Sequence, residues 1–333
     1  MKNKQILLAS RPQGAVSESN FKLVETDIPQ AGDGEFVVRN YYLSLDPYMR
    51  GRMDEAKSYA QSAAVGDVMV GTTVGEVIES KHAKFNAGDF VETRTGWQLY
   101  GKSNGGGTRR VDPAFVPLSA YLGAVGMPGV TAWYGLVRII DPKPGETVTV
   151  SAASGAVGSA LGTLAKARGC RVVGVAGGQA KCDYVVNELG FDACIDYKLH
   201  SDAGSLSKAL KEACPNGIDG HFENVGGMVL DAVMLRTNAF ARIAVCGMIA
   251  GYDGRPVPLS APALILVNRL RVEGFIVSEH MEVWPEALQE LGQLVGSGTF
   301  RPRETIAQGL ESAPAAFLGL LKGKNFGKQL VRL

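Results

Sequence analysis

Apolar and polar positions change rhythm along this chain. Up to about residue 120, short β-branched or aromatic runs recur at Phe21 to Val24, Glu35 to Tyr42, Val68 to Ile78 and Asp89 to Thr93. Gly, Pro, Asn and Asp turns such as Ala87-Gly88-Asp89 separate them, which predicts a β-rich domain closing near Asp112 to Leu118. From Gly126 the run MPGVTAWYGLVRI is helical in character, and the Pro142 to Gly145 turn leads into an apolar strand at Thr147. Helices are then expected at Ala160 to Arg168, Lys181 to Leu189 and Ser205 to Cys214. They alternate with strands at Cys170 to Ala176, Cys194 to Tyr197, Gly220 to Val225, Arg242 to Cys246 and Arg271 to Val277. A helix over Trp284 to Val295 follows, and strands at Phe300 to Ile306 and Gln329 to Leu333 are expected to return to the first sheet.

The alternation, with glycines after several strands, predicts an α/β protein with a doubly wound parallel sheet. Ligands of such a sheet sit at the carboxyl ends of its strands. The stretch TVTVSAASGAVGS (Thr147 to Ser159) reads as a strand, a loop of small residues and the opening turn of a helix. Ala152, Gly155 and Gly158 form an A-x-x-G-x-x-G pattern, a variant of the dinucleotide loop. A pyrophosphate reaches backbone N–H groups only where side chains do not intervene, and the helix packs on its strand only over a glycine. Strand, loop, helix and second strand fit within about 30 residues, the size of one βαβ unit, and identify a Rossmann domain. The second strand ends in Gly177-Gly178-Gln179-Ala180-Lys181, with no Asp or Glu to accept the adenosine ribose hydroxyls. No carboxylate opposes a 2′-phosphate and a lysine stands near, so NADP is expected rather than NAD.

Composition adds limits. A chain of 333 residues with 46 % apolar and 20 % charged positions suits two domains with sizeable cores. Its net charge of +1 gives no electrostatic case for nucleic-acid or membrane partners. The apolar runs Ile6 to Ala9 and Ala263 to Val267 are too short for a signal-peptide core or a bilayer span, so a cytoplasmic protein is expected. Five cysteines, odd in number and widely spaced, read as reduced thiols. With four histidines and no paired ligand spacing, no metal site is expected.

Several motifs run from end to end: SRPQG (Ser10 to Gly14), LDPYMRGRM (Leu45 to Met53), GMPGVTAWYGL (Gly126 to Leu136), AASGAVGS (Ala152 to Ser159), FENVGG (Phe222 to Gly227), GFIV (Gly274 to Val277) and GKNFGK (Gly323 to Lys328). With them the chain resembles the zinc-free branch of the medium-chain dehydrogenase/reductase superfamily. More closely, it resembles the prostaglandin reductase and alkenal/one oxidoreductase family, which includes plant double-bond reductases and bacterial curcumin reductase. The resemblance implies a GroES-like catalytic domain over residues 1–122, a Rossmann domain over 123–298, and a return to the catalytic domain over 299–333. It implies hydride transfer from NADPH to the C=C bond of α,β-unsaturated aldehydes and ketones. Gly155, Ala156, Val157 and Gly158 would bind the pyrophosphate, Lys181 the 2′-phosphate, and Tyr197 would lie near the adenosine ribose. Asn224, Cys246, Gly247, Met248, Ile249, Tyr252, Phe275, Ile276, Val277 and Asn325 would surround the rest of the cofactor. Zinc-dependent relatives carry Cys and His–Glu ligands where this chain reads LSLDPYMR and VGTTVGEV, without Cys or His.

Hydride delivery to an enone builds negative charge on its carbonyl oxygen, and a proton must reach the α-carbon. Tyr48 is the expected hydrogen-bond donor, with Tyr252 near the substrate. Several relatives place a tyrosine shortly before R-x-R-x-x-G-F, but here Ile265 to Arg271 contains none. Proton delivery then falls to water, the ribose hydroxyl or another tyrosine. Two other readings remain open from sequence: an NADPH:quinone oxidoreductase, and a cofactor-binding sensor without turnover. A homodimer is expected from the habits of relatives.

Overall fold

The chain separates into two units whose boundaries cut across the sequence. One gathers Met1–Gly123, Tyr252–Gly254 and Glu304–Leu333; the other gathers Ala124–Gly251 and Arg255–Arg303. The computed structural model describes residues 2–55 and 58–333.

In the first unit, β1 (Asn3–Leu8) pairs antiparallel with β2 (Phe21–Thr26). Strands β3 (Phe36–Ser44), β4 (Thr73–Ser80), β5 (Phe90–Thr93), β6 (Tyr100–Ser103) and β7 (Arg109–Arg110) belong to a second, larger sheet. A single helical turn, α1 (Met49–Arg52), follows β3. The strand expected from Val68 begins only at Thr73, and Val68 itself forms an isolated bridge with Leu7. Close packing explains the difference: a Cβ on Gly71 would lie 2.9 Å from Leu43 and 3.0 Å from the Trp97 ring. Trp97, fully buried, stacks on Phe21 at 5.3 Å and meets Phe317 edge-on at 5.7 Å at the centre of this unit's core.

The second unit opens with α2 (Met127–Tyr134), continued by a π-helical turn at Gly135–Ile140. Then come β8 (Thr147–Ser151), α3 (Ala156–Ala167), β9 (Arg171–Ala176), α4 (Gln179–Asn187), β10 (Ala193–Asp196) and α5 (Ala203–Ala213). The rest is β11 (Ile218–Glu223), α6 (Met228–Met234), β12 (Thr237–Val245), α7 (Ala263–Val267), β13 (Arg271–Gly274) and α8 (Trp284–Gly296). The six strands are parallel in the order β10-β9-β8-β11-β12-β13, the doubly wound arrangement in which strand order reverses beside β8. Helices cover both faces. Val173 and Val175 of β9 pack with Leu206 and Leu210 of α5 and Val229 and Val233 of α6. Gly174 points the other way, where a Cβ would stand 3.1 Å from Val185 of α4.

The chain then re-enters the first unit with β14 (Glu304–Gln308), α9 (Ala313–Leu321) and β15 (Lys328–Arg332). The larger sheet runs β14-β15-β3-β4-β5-β7, with β6 alongside β3. The strand expected from Phe300 starts at Glu304, because Pro302 lies in the earlier stretch and has no N–H for a ladder. Among the described residues, no helix is long and apolar enough to cross a membrane.

Candidate active site

The strand-order reversal puts the glycine loop between the ends of β8 and β11. Ala152 takes a left-handed φ of +52°, and Gly155 caps α3 in an extended conformation. A Cβ on Gly158 would lie 2.5 Å from Ala152 O and 2.9 Å from Ala153 Cα, so the first turn of α3 lies directly against the strand end. A Cβ on Gly155 would stand 3.1 Å from Ala152 O. Gly155, Ala156, Val157 and Gly158 therefore form one cradle of backbone at a helix N-terminus, the geometry a pyrophosphate requires. Small residues here are dictated by contact distances.

A second corner forms at the ends of β9 and β10. Asp196 accepts hydrogen bonds from the N–H groups of Gly178 (2.8 Å) and Lys198 (3.0 Å), fixing both turns. A Cβ on Gly177 would meet the Tyr197 ring at 2.8 Å and the Lys198 stem at 3.1 Å. Burial and the charge of Lys198 hold the pKa of half-buried Lys181 below its ordinary 10.5. Two ammonium groups gathered at one strand end suit a doubly charged phosphate. Lys198 was missed in the sequence because only the adjacency of β9 and β10 brings it to Gly177 and Lys181.

The ends of β11 and β12 are joined by hydrogen bonds. Asn224 donates from its backbone to Ser151 Oγ (2.7 Å) and from its side chain to Ser151 O (2.8 Å). Cys246 and Gly247 both donate to the Glu223 carbonyl, and Ile249 to the Asn224 carbonyl at 3.2 Å. Met248 packs over this turn: a Cβ on Gly226 would touch its methyl at 3.0 Å. Burial, with the Glu223 charge adding, pushes the Cys246 thiol up to about 12. It thus stays protonated near neutrality and reacts poorly with electrophiles. After β13, Phe275 lies 5.2 Å from the Tyr134 ring, Ile276 precedes a short turn, and the Val277 carbonyl accepts from Trp284 Nε1 at 3.4 Å. Every cofactor candidate of this unit thus lies at a carboxyl strand end or in the turn beside it.

Tyr48, Tyr252 and Asn325 belong to the first unit. Tyr48 directly precedes α1 and packs against the core around Trp97 and Met49. Burial pushes its hydroxyl well above the ordinary tyrosine value of 10.0, and Asp46 adds to the shift, so the phenol keeps its proton. Asp46 forms a buried ion pair with Lys328, whose Nζ donates to Asp46 Oδ1 (2.7 Å) and Leu45 O (2.8 Å). The Ser44 hydroxyl donates to the other Asp46 oxygen. Asn325 donates from its side chain to Gly327 O at 2.7 Å, shaping the turn before β15. Tyr252 is half-buried, in a short segment whose Asp253 carbonyl approaches Gly14.

Comparison with known proteins agrees with this layout. Residues 4–111 match the family described as the N-terminal domain of oxidoreductase, and residues 156–293 match the zinc-binding dehydrogenase family. The NADPH-dependent curcumin reductase of Escherichia coli is 45 % identical over 100 % of this chain and 97 % of its own length. The NADP-dependent 2-alkenal reductase of Nicotiana tabacum is 42 % identical over 99 % of this chain and 97 % of its own. The crystal structure of CurA from Vibrio vulnificus in complex with NADPH superposes with a TM-score of 0.92 at 46 % identity, covering 99 % of this chain and 98 % of that one. Despite the name of the second matched family, no group of three or more His, Cys, Asp or Glu among the described residues could hold a metal ion.

Proposed function

We infer that this chain, which belongs to the medium-chain dehydrogenase/reductase family in the branch of curcumin, prostaglandin and 2-alkenal reductases, reduces the C=C bond of α,β-unsaturated aldehydes and ketones with NADPH. It combines a Rossmann domain with a GroES-like domain. The observation that carries the cofactor assignment is the glycine cradle of α3 combined with a carboxylate-free strand end flanked by Lys181 and Lys198. When bound, NADPH supplies the hydride.

The roles of individual residues are our reading. Gly155, Ala156, Val157 and Gly158 hold the pyrophosphate, Lys181 and Lys198 the 2′-phosphate, and Tyr197 borders the ribose. Asn224, Cys246, Gly247, Met248, Ile249, Phe275, Ile276 and Val277 shape the nicotinamide half, to which we also assign Asn325. Tyr48, kept protonated by burial, donates a hydrogen bond to the substrate carbonyl oxygen as charge grows there; Tyr252 contacts the substrate. The reaction runs without zinc, a reading supported by LSLDPYMR and VGTTVGEV, which hold no Cys or His where zinc-dependent relatives carry their ligands. The α-carbon takes its proton from water, the ribose hydroxyl of the cofactor or another tyrosine, since the stretch Ile265 to Arg271 contains none.

A homodimer is favoured by the sheet edge at β13, where Val272 is exposed and Phe240, Leu266 and Val267 are 60–80 % exposed. Gel filtration showing only monomer rejects it. A cytoplasmic location is supported by five free thiols. The activity is tested by NADPH oxidation with a medium-chain alkenal, an aryl enone and a small quinone, NADH as control, and product mass. A saturated carbonyl product with NADPH preferred is expected. Turnover of the quinone alone, or tight NADPH binding without turnover, refutes it.

A further inference from the structure

One fully buried carboxylate, Glu223, ties the end of β8 to the loops that leave β11 and β12. Its Oε1 accepts from the Ser151 hydroxyl (2.6 Å) and from the backbone N–H groups of Val225 (2.5 Å) and Gly226 (2.9 Å). Its Oε2 accepts from His221 Nε2 at 3.0 Å, and its backbone carbonyl accepts from Cys246 and Gly247. Ser151 passes the link onward by accepting from the Asn224 N–H. His221, also fully buried, is held on its other side by the Thr149 hydroxyl at 2.8 Å.

A carboxylate only accepts hydrogen bonds and has room for about four, so it can serve all these donors at once. Burial alone pushes this carboxyl up, but the hydrogen bond and charge of His221, with the bonds from Ser151 and Val225, hold it below its ordinary 4.5. The charged form is therefore the one built into the fold. No step of the reduction uses it, and it lies below the surface of the strand ends. Its partners are the loops that carry the cofactor candidates Asn224, Cys246 and Gly247.

We propose that Glu223, oriented by His221, is a positioning residue for NADPH: it fixes the loops after β11 and β12 that form the nicotinamide half of the crevice. The proposal rests on the NADPH reading and deepens it. A doubly wound sheet is built from two mononucleotide-binding halves, β8 to β10 and β11 to β13 here. The adenosine end, with Lys181 and Tyr197, stands on loops that Glu223 does not touch. Loss of the carboxylate should thus loosen one half of the site and spare the other.

The full-length variant Glu223→Gln puts donor hydrogens where the loop N–H groups or His221 need an acceptor. Two ligands are titrated against it and the wild type: NADPH, and adenosine 2′,5′-bisphosphate, which carries the adenosine half with its 5′-phosphate but no nicotinamide half. The expected result is an NADPH Kd raised about tenfold or more, from the loss of hydrogen bonds to a charged group. The bisphosphate Kd stays at its wild-type value. Glu223→Asp, which keeps the charge, recovers part of the loss. If Glu223→Gln does not fold, Ser151→Ala, which removes only the hydroxyl between Glu223 and Asn224, shows the same selectivity at about threefold. Equal weakening of both ligands, or unchanged NADPH binding, overturns the positioning role. A wild-type protein that binds neither ligand overturns the cofactor reading and the proposal with it.

Discussion

Replacing Lys328 by methionine tests how the first unit is held together. The side chain is 4 % exposed and its partner Asp46 is 8 % exposed, so the charges meet out of water. Methionine keeps the apolar stem but leaves Asp46 Oδ1 and the Leu45 carbonyl without their donor, while Asp46 retains the Ser44 hydroxyl. Breaking a buried pair from one side costs about 3–5 kcal/mol, because an uncompensated charge remains. For a domain of this size that lowers Tm by about 6–20 °C. Trp97 is the tryptophan of the first unit, so urea unfolding in a Trp133→Phe/Trp284→Phe background reports that unit alone. Adding Asp46→Asn to Lys328→Met should recover much of the loss, since no stranded charge remains. A loss below about 1 kcal/mol in the single variant, or a double variant as unstable as the two singles summed, refutes the reasoning.

Other outcomes follow from the same geometry. Lys181→Ala with Lys198→Ala should raise KM for NADPH by about 10- to 150-fold and leave NADH unaffected. In the wild type, the depressed Lys181 pKa means its charge is lost as pH rises, before an ordinary lysine's 10.5. KM for NADPH should therefore climb at alkaline pH while KM for NADH stays level. Tyr48→Phe should lower kcat about tenfold with NADPH affinity kept, as expected for one hydrogen bond to growing charge; an unchanged kcat excludes Tyr48 from the site. Gly162→Ala would drive a Cβ to 1.8 Å from the Phe191 ring, and a loss of about 3 kcal/mol is expected in thermal unfolding of the second unit. Wild-type stability there would show that α3 shifts freely.

The second unit was legible because its signals are local. Strand, glycine loop, helix and strand from Thr147 to Ala176 lie within one short stretch, and each later strand carries its own apolar run. The helix Ala313–Leu321 gave no such signal, because APAAFLGLL is apolar nearly throughout and has no polar face to mark a period. Glu223 was visible in the FENVGG motif only as a flank to Asn224; its burial follows from β11 lying between β8 and β12. The Asp46–Lys328 pair could not be read either, because antiparallel pairing of β15 with β3 creates it.

That pairing also sets an order of events during synthesis. The interior strand β3 waits for β15, and Asp46 waits for a lysine 282 residues downstream. At about 5–20 residues per second, that interval lasts roughly 15–55 s on the ribosome. The whole second unit emerges in the meantime and has its own complete sheet to fold into. The first unit spends that time with Tyr42–Ser44 of β3 unpaired on one side, since β6 covers only Phe36–Arg39 there. A nascent chain released a dozen residues early would therefore carry a finished nucleotide-binding unit tethered to a sheet that lacks β15 and leaves Asp46 without its lysine.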